Sequence, residues 1–274
     1  MTQIIYGIHP VQEALKSSHL QIEKILIGTQ TPHPRLQSIL DLAHKRNIPV
    51  TFTTRESLER VTKGGVHQNV AGFVKETLYA GLGDIFSHWK NEGGKSLFLI
   101  LDGIQDPQNF GSLIRTALGC GVHGIIIPKD RSVGITSVAI KASAGAAAHL
   151  PIVRVVNIAA TIDLLKKEGI WVYGASGEAK DLIYQLDLDM DLAIVIGAEG
   201  KGMRPLVKKK CDRLFSIPMK SPLSSFNASV SGGMILYETM RQRSLHDNPP
   251  SSPPSPARGE GLGGIDKPVF KTMG

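Results

Sequence analysis

The chain reads as an α/β protein in two parts: an α/β unit over residues 1–76, and a larger α/β unit with a mostly parallel sheet over residues 96–244. Short apolar runs alternate with amphipathic helical patterns throughout, the signature of alternating strands and helices. In the second part the apolar runs are hydrophobic at nearly every position, as strands covered on both faces must be. Between the parts, Gly81, Gly83, Gly93 and Gly94 surround one short helical pattern, so 77–95 is expected to be a linker.

In the first part, Ile8–Ser17 is a helix with Pro10 in its first turn, where an imino nitrogen is tolerated. Lys24–Gly28 is a buried strand. Pro34–Arg46 is a helix with Leu36, Ile39, Leu40 and Ala43 on one face. Ile48–Thr53 is a strand, Glu56–Val61 a short helix, and Val66–Val74 a last strand after the Gly64-Gly65 turn. The linker holds a short helix near Ile85–Lys90.

In the second part, strands are expected at Leu97–Leu101, Gly124–Ile127, Ile152–Val156, Ile170–Tyr173, Leu192–Ile196 and Leu214–Ile217. Helices are expected at Asn109–Cys120, Thr136–Ala142, Ile158–Lys167, Arg204–Lys210 and Phe226–Arg243. A ligand belongs at the carboxyl ends of such strands. After Arg243 the chain turns Pro- and Ser-rich, then Gly-rich, with little to bury. Residues 245–274 are expected to be a disordered tail.

At 274 residues and 42% hydrophobic content, the chain holds ample sequence for these cores. No apolar run is long enough to span a bilayer, and the N-terminus has no signal-peptide pattern. A cytoplasmic protein with no membrane partner is expected. Cys120 and Cys211 fit no metal spacing and are expected to stay reduced. The net charge is +7, and residues 1–75 hold nine Lys/Arg against five acids. That excess suits a polyanion such as RNA, and equally suits a surface charged for solubility.

Three strand-to-loop-to-helix junctions in the second part carry residues suited to a ligand. At Asp102–Arg115, Asp106-Pro107 turns the chain and Asn109 is placed to cap the following helix. Arg115 comes six residues on, near enough for a long side chain to reach the same rim and receive a phosphate or carboxylate. The plainer reading makes Asn109 a simple cap and Arg115 a solvated surface group.

At Gly197–Gly202, three glycines let the backbone approach a ligand closely. The order GxxGxG is not the dinucleotide fingerprint, and no ribose-binding acid follows it. Glu199 there either bonds a ligand or favours a helix N-terminus. The third junction follows Ile217-Pro218-Met219. Its loop, Ser224-Ser225-Phe226-Asn227-Ala228-Ser229, offers hydroxyls, amides and free backbone N–H groups at the start of an amphipathic helix.

Other chemistries find no support. Gly94-Lys95-Ser96 is no P-loop, because Trp89 stands where the first glycine belongs and the stretch precedes its strand. There is no His-Glu-x-x-His and no GxSxG elbow, so metal and serine-hydrolase mechanisms are set aside.

Together the three junctions resemble the signature motifs of the SpoU-type RNA 2′-O-ribose methyltransferases of the trefoil-knot (SPOUT) superfamily. The first motif has Asn and Arg six apart, here Asn109 and Arg115. The second is GxEGxG, here Gly197, Glu199, Gly200 and Gly202. The third is Ile-Pro-Met with a Ser-Leu-Asn-Val-Ser loop, here Ile217-Pro218-Met219 and Ser225-Phe226-Asn227-Ala228-Ser229. In the first part, Ile5-Tyr6-Gly7-Ile8-His9-Pro10 and His67-Gln68-Asn69-Val70-Ala71 resemble the L30e-like substrate-binding domain of the RlmB-like branch. The resemblance covers residues 4–243.

The resemblance implies a knotted C-terminal domain and a pocket for S-adenosylmethionine, with no metal. Gly197, Ile217, Met219 and Phe226 match cofactor-contacting positions. Asn109, Arg115, Glu199, Ser225 and Asn227 match positions of catalysis and substrate placement. The implied substrate is a guanosine of 23S rRNA, with transfer RNA as the alternative, and no DNA. A catalytically silent RNA-binding protein of the same fold is the reading from another class. Such enzymes act as homodimers with composite sites. Four positions depart from the family pattern: Phe226 for Leu, Ala228 for Val, Ala148 for Glu and Asn69 for Gly.

Overall fold

A computed structural model describes residues 3–16, 21–29, 34–74, 79–220 and 225–247. The first part runs β1 (Gln3–Tyr6), α1 (Ile8–Lys16), β2 (Ile22–Gly28), α2 (Pro34–Lys45), β3 (Val50–Thr53), α3 (Arg55–Thr62) and β4 (Val70–Val74). Its sheet has the order β1-β4-β2-β3. β4 is antiparallel to both neighbours, and β3 is parallel to β2. β1 adds to the expected elements. Its four residues are too few to display a period, and pairing with β4 makes the strand.

The two N-terminal motif segments meet in space. Gln68 Oε1 accepts the Ile8 N–H at 3.0 Å, capping α1 with a side chain sixty residues away. Gln68 and Asn69 have φ of 49° and 62°. Asn enters that left-handed region more readily than most residues, which suits Asn69 to a position where the resemblance leads to an expected glycine.

The second part continues α4 (Leu82–Glu92), β5 (Leu97–Asp102), α5 (Pro107–Gly119), β6 (Gly124–Pro128), α6 (Ser137–Ala142), β7 (Ile152–Val155) and α7 (Ile158–Lys167). Then come β8 (Trp171–Ala175), β9 (Asp181–Leu182), β10 (Leu192–Gly197), α8 (Pro205–Lys210), β11 (Arg213–Ser216) and α9 (Ala228–Asp247). The sheet order is β7-β6-β5-β10-β8-β11-β9, and every pair is parallel.

Alternate residues of these strands enter two separate cores, which is why the runs are apolar throughout. On β5, Leu97, Leu99 and Leu101 pack with Phe110 and Leu113 of α5 and Ile235 of α9. Phe98 and Ile100 face the opposite layer, with Ile85, Ile162 and Val207. The stretch expected as a linker therefore carries a helix, α4, whose Ile85 is fully buried in that layer. Ala80 N–H also bonds the Ile152 carbonyl at 2.8 Å.

The two parts touch where α1 meets the turn after α6. His149 Nε2 lies 2.9 Å from Glu13 Oε2. Ala148, where the resemblance leads to an expected Glu, is 2% exposed among apolar neighbours. Among the described residues, no helix is long and apolar enough to cross a membrane. Helix α9 extends through Asp247. Residues 248–274 and Ser224 lie outside the described residues.

Candidate active site

The three junctions converge at the carboxyl end of the parallel sheet. At the first, Asp102 ends β5 and is 1% exposed. Its oxygens accept the Arg204 N–H at 2.8 Å and Nε at 2.6 Å, tying this strand end to the start of α8. Helix α5 is capped by Asp106, with Pro107 in its first position. Asp106 Oδ2 accepts the Asn109 N–H at 2.8 Å. This corrects the expectation that Asn109 is the cap. An Asp followed by Pro starts the helix three residues earlier and frees the Asn109 side chain.

At the second junction the chain folds into a tight loop. Ala198 N–H bonds Gly202 O at 3.1 Å, and Gly202 N–H bonds Ala198 O at 2.8 Å. A Cβ on Gly197 would lie 2.2 Å from Gly202 C and Met203 N, so only glycine fits beneath the loop. The loop lifts Glu199 above the sheet edge.

Glu199 Oε1 gathers donors from the other two junctions. It accepts Asn227 Nδ2 at 2.7 Å, Asn109 Nδ2 at 3.0 Å and Ala228 N–H at 3.1 Å. Asn227 Nδ2 also donates to Asn109 Oδ1 at 3.0 Å. Asn227 Oδ1 in turn accepts Ser229 N–H at 2.9 Å and Ser229 Oγ–H at 2.6 Å, starting α9. A carboxylate at a helix N-terminus is favoured by the unpaired N–H groups there.

Two clefts flank this cluster. The first, about 440 Å³, is lined by Gly197, Glu199, Ile217, Met219, Ser225 and Phe226. The second, about 470 Å³, is lined by Asp102, Gln105, Asn109, Arg131 and Arg204, among others. Ala198, Glu199, Lys201 and Gly202 belong to both, so the glycine loop is the partition between them.

Eight of the nine expected site residues line a cleft or join the Glu199 cluster. Arg115 does neither. It is exposed on α5, and six residues of helix set it about 120° around the axis from Asn109. Three charged groups of the first cleft, Glu178, Lys201 and Lys208, were outside the expected set. Lys208 Nζ lies 2.6 Å from Glu178 Oε2, and its hydrogen bond holds that carboxyl below the usual range. The available signal for Glu178 was an acid three residues past a buried strand.

Residues 96–237 match the model of the SpoU rRNA Methylase family, and residues 4–80 that of RNA 2′-O ribose methyltransferase substrate binding. The chain is 41% identical over 239 residues to the putative TrmH family tRNA/rRNA methyltransferase YacO of Bacillus subtilis, covering 87% of this chain and 95% of that one. It is 41% identical over 247 residues to the 23S rRNA (guanosine-2′-O-)-methyltransferase RlmB of Haemophilus influenzae, covering 89% and 99%. Among solved structures, the SpoU methyltransferase AviRb of Streptomyces viridochromogenes superposes with a TM-score of 0.76 at 22% identity, over 89% of this chain and 91% of that one. The chain belongs to the SpoU family of RNA 2′-O-methyltransferases.

Proposed function

We propose that this enzyme methylates the ribose 2′-hydroxyl of a guanosine in 23S rRNA, using S-adenosylmethionine held in the first cleft. The observation that carries the reading is the convergence of Asn109, Asn227 and the α9 N-terminus on one Glu199 oxygen, between two clefts. The first cleft fits the cofactor on its own terms. Its floor is backbone, where the 2.2 Å clash at Gly197 forbids any side chain. Ile217, Met219 and Phe226 give it apolar walls. Its volume is that of a small-molecule site. The bound cofactor supplies an electrophilic methyl group.

The protein's task is then to orient a weak nucleophile and remove its proton. Three donors occupy Glu199 Oε1, and Oε2 has no partner among the described residues. That open oxygen accepts the hydrogen bond of the ribose hydroxyl and orients it, and the proton is lost to the adjacent RNA phosphate or to water. Asn109 and Asn227 hold the carboxylate, and Ser225 steadies the loop beside it. A guanidinium is a cation and offers no lone pair to a proton, so Arg115 serves by stabilising the developing alkoxide or gripping the adjacent phosphate.

Arg115 acts across a homodimer. Supporting this, it lies outside both clefts of its own chain. Helix α9 also exposes Val230, Met234 and Tyr237 at positions i, i+4 and i+7, an apolar stripe that a second copy would cover. The basic N-terminal part adds affinity for RNA phosphates. The enzyme works in the cytoplasm, where ribosomal RNA is found.

Relatives named for 23S rRNA guanosine favour that substrate, and those named for tRNA/rRNA keep transfer RNA as the second reading. Labelled methyl transfer to unmodified 23S rRNA, 16S rRNA and tRNA, with the nucleoside identified by mass, tests the choice. 2′-O-methylguanosine from 23S rRNA is expected, and label in tRNA alone would discard the substrate while keeping the chemistry.

A further inference from the structure

The rim of the first cleft carries an acid that methyl transfer itself does not use. Strand β8 ends at Ala175 and the chain turns at once. Ser176 N–H bonds Phe215 O at 2.8 Å, and Ala179 N–H bonds Ser176 O at 3.0 Å. Glu178 sits in that turn and lines the cleft, with its side chain 85% exposed. Lys208 of α8 approaches its carboxylate from the opposite side of the rim, at 2.6 Å.

The position of Glu178 in the sheet gives it meaning. β8 is the immediate parallel neighbour of β10, in register from Leu192↔Trp171 to Val195↔Gly174. Glu178 therefore stands just beyond the carboxyl end of the strand next to the one bearing the glycine loop. In doubly wound dinucleotide sites, an acid at the end of the strand beside the glycine-loop strand accepts a hydrogen bond from the ribose, and Glu178 occupies the corresponding place here. In sequence this acid precedes the loop by some twenty residues, so a search downstream of the glycines misses it.

The chemistry matches. A vicinal diol offers two O–H donors, and an ionised carboxylate offers two acceptor oxygens. An exposed ion pair contributes little by itself, so Lys208 can orient the carboxylate without withholding it from a ligand.

The geometry points to Glu178 as the acceptor for the ribose hydroxyls of the nucleoside cofactor. The assignment rests on the reading of the first cleft as the S-adenosylmethionine site. It makes Glu178 a binding residue, and its removal lowers affinity for the diol without touching the reacting groups.

Calorimetric titration with S-adenosylhomocysteine and its 2′-deoxy analogue tests this on the full chain. The wild type is expected to prefer the ribose form by about tenfold, the size of a hydrogen bond to a charged group. In Glu178→Ala the ribose form, which loses both hydrogen bonds, weakens about tenfold more than the deoxy form, which loses only that of its 3′-hydroxyl, and the preference disappears. A preference that survives in Glu178→Ala overturns the proposal, as does a wild type that binds both ligands equally well. A wild type that binds neither overturns the cofactor reading and this proposal together. Position 178 is on the surface, so thermal melting of the variant should match the wild type.

Discussion

Asn227 Nδ2 lies 2.7 Å from Glu199 Oε1, so an amide of the third junction closes on the carboxylate of the second. The same Asn227 caps α9 through Oδ1, which couples the helix start to the site. Asn227→Asp separates the two roles. The cap survives, because an Asp oxygen accepts as well as an Asn oxygen. The donor does not, and a second carboxylate now faces Glu199. Like charges raise the pKa of one partner. Turnover should fall on the order of 100-fold at pH 8 and partly recover toward pH 6, as the pair takes up one proton. Stability should change by less than about 1 kcal/mol. A pH–rate profile reads the outcome, and one parallel to the wild type would contradict it.

Gly197→Ala inserts a methyl group into backbone 2.2 Å away. The loop must open, costing about 1–3 kcal/mol of stability. Binding of S-adenosylhomocysteine should weaken roughly 100-fold, while circular dichroism shows the fold intact. Unchanged affinity would remove the glycine loop from the cofactor site.

Arg115→Ala and Gly197→Ala should each be nearly inactive as pure proteins at a cofactor concentration close to the wild-type Kd. Unfolded and refolded together, they form mixed dimers in which one intact cleft faces one intact Arg115. Activity of about a quarter of the wild type is expected from random pairing of a two-fold dimer. No recovery on mixing, with dimers demonstrated, would place Arg115 in service of its own chain.

Cys211 should resist alkylation. Burial pushes its thiol up to about 12, and its Sγ–H donates to the Val207 carbonyl at 3.4 Å. At pH 8 the thiolate fraction is about one in 10⁴. Burial raises Cys120 as well. Intact-mass measurement after iodoacetamide should show little adduct on native protein and two after denaturation. Rapid modification of Cys211 in the native state would show that α8 opens readily.

The alternation of strands and helices was legible because each buried strand is apolar on both faces, as Leu97–Leu101 is. β1 and β9 were not, since four and two residues carry no period and exist only through pairing. Asn109 was misplaced as a cap because local pattern does not rank it against Asp106-Pro107. Its partner, ninety residues away in Glu199, is a product of sheet order. Glu178 shows the same limit. It serves the cleft because β8 lies beside β10, and adjacency in a sheet is not written in sequence order. The cluster residues were reached through the resemblance of their motifs, not through spacing alone.

Where on the nucleotide the methyl group lands decides whether the site activates a ribose hydroxyl. RNA labelled by the enzyme is digested in alkali, which cleaves by attack of the free 2′-hydroxyl on the neighbouring phosphate. A 2′-O-methyl group blocks that attack. The label is expected in an alkali-resistant dinucleotide whose 5′ residue is guanosine. Label in ordinary mononucleotides would mean methylation of a base, and would contradict a site built to activate the ribose hydroxyl.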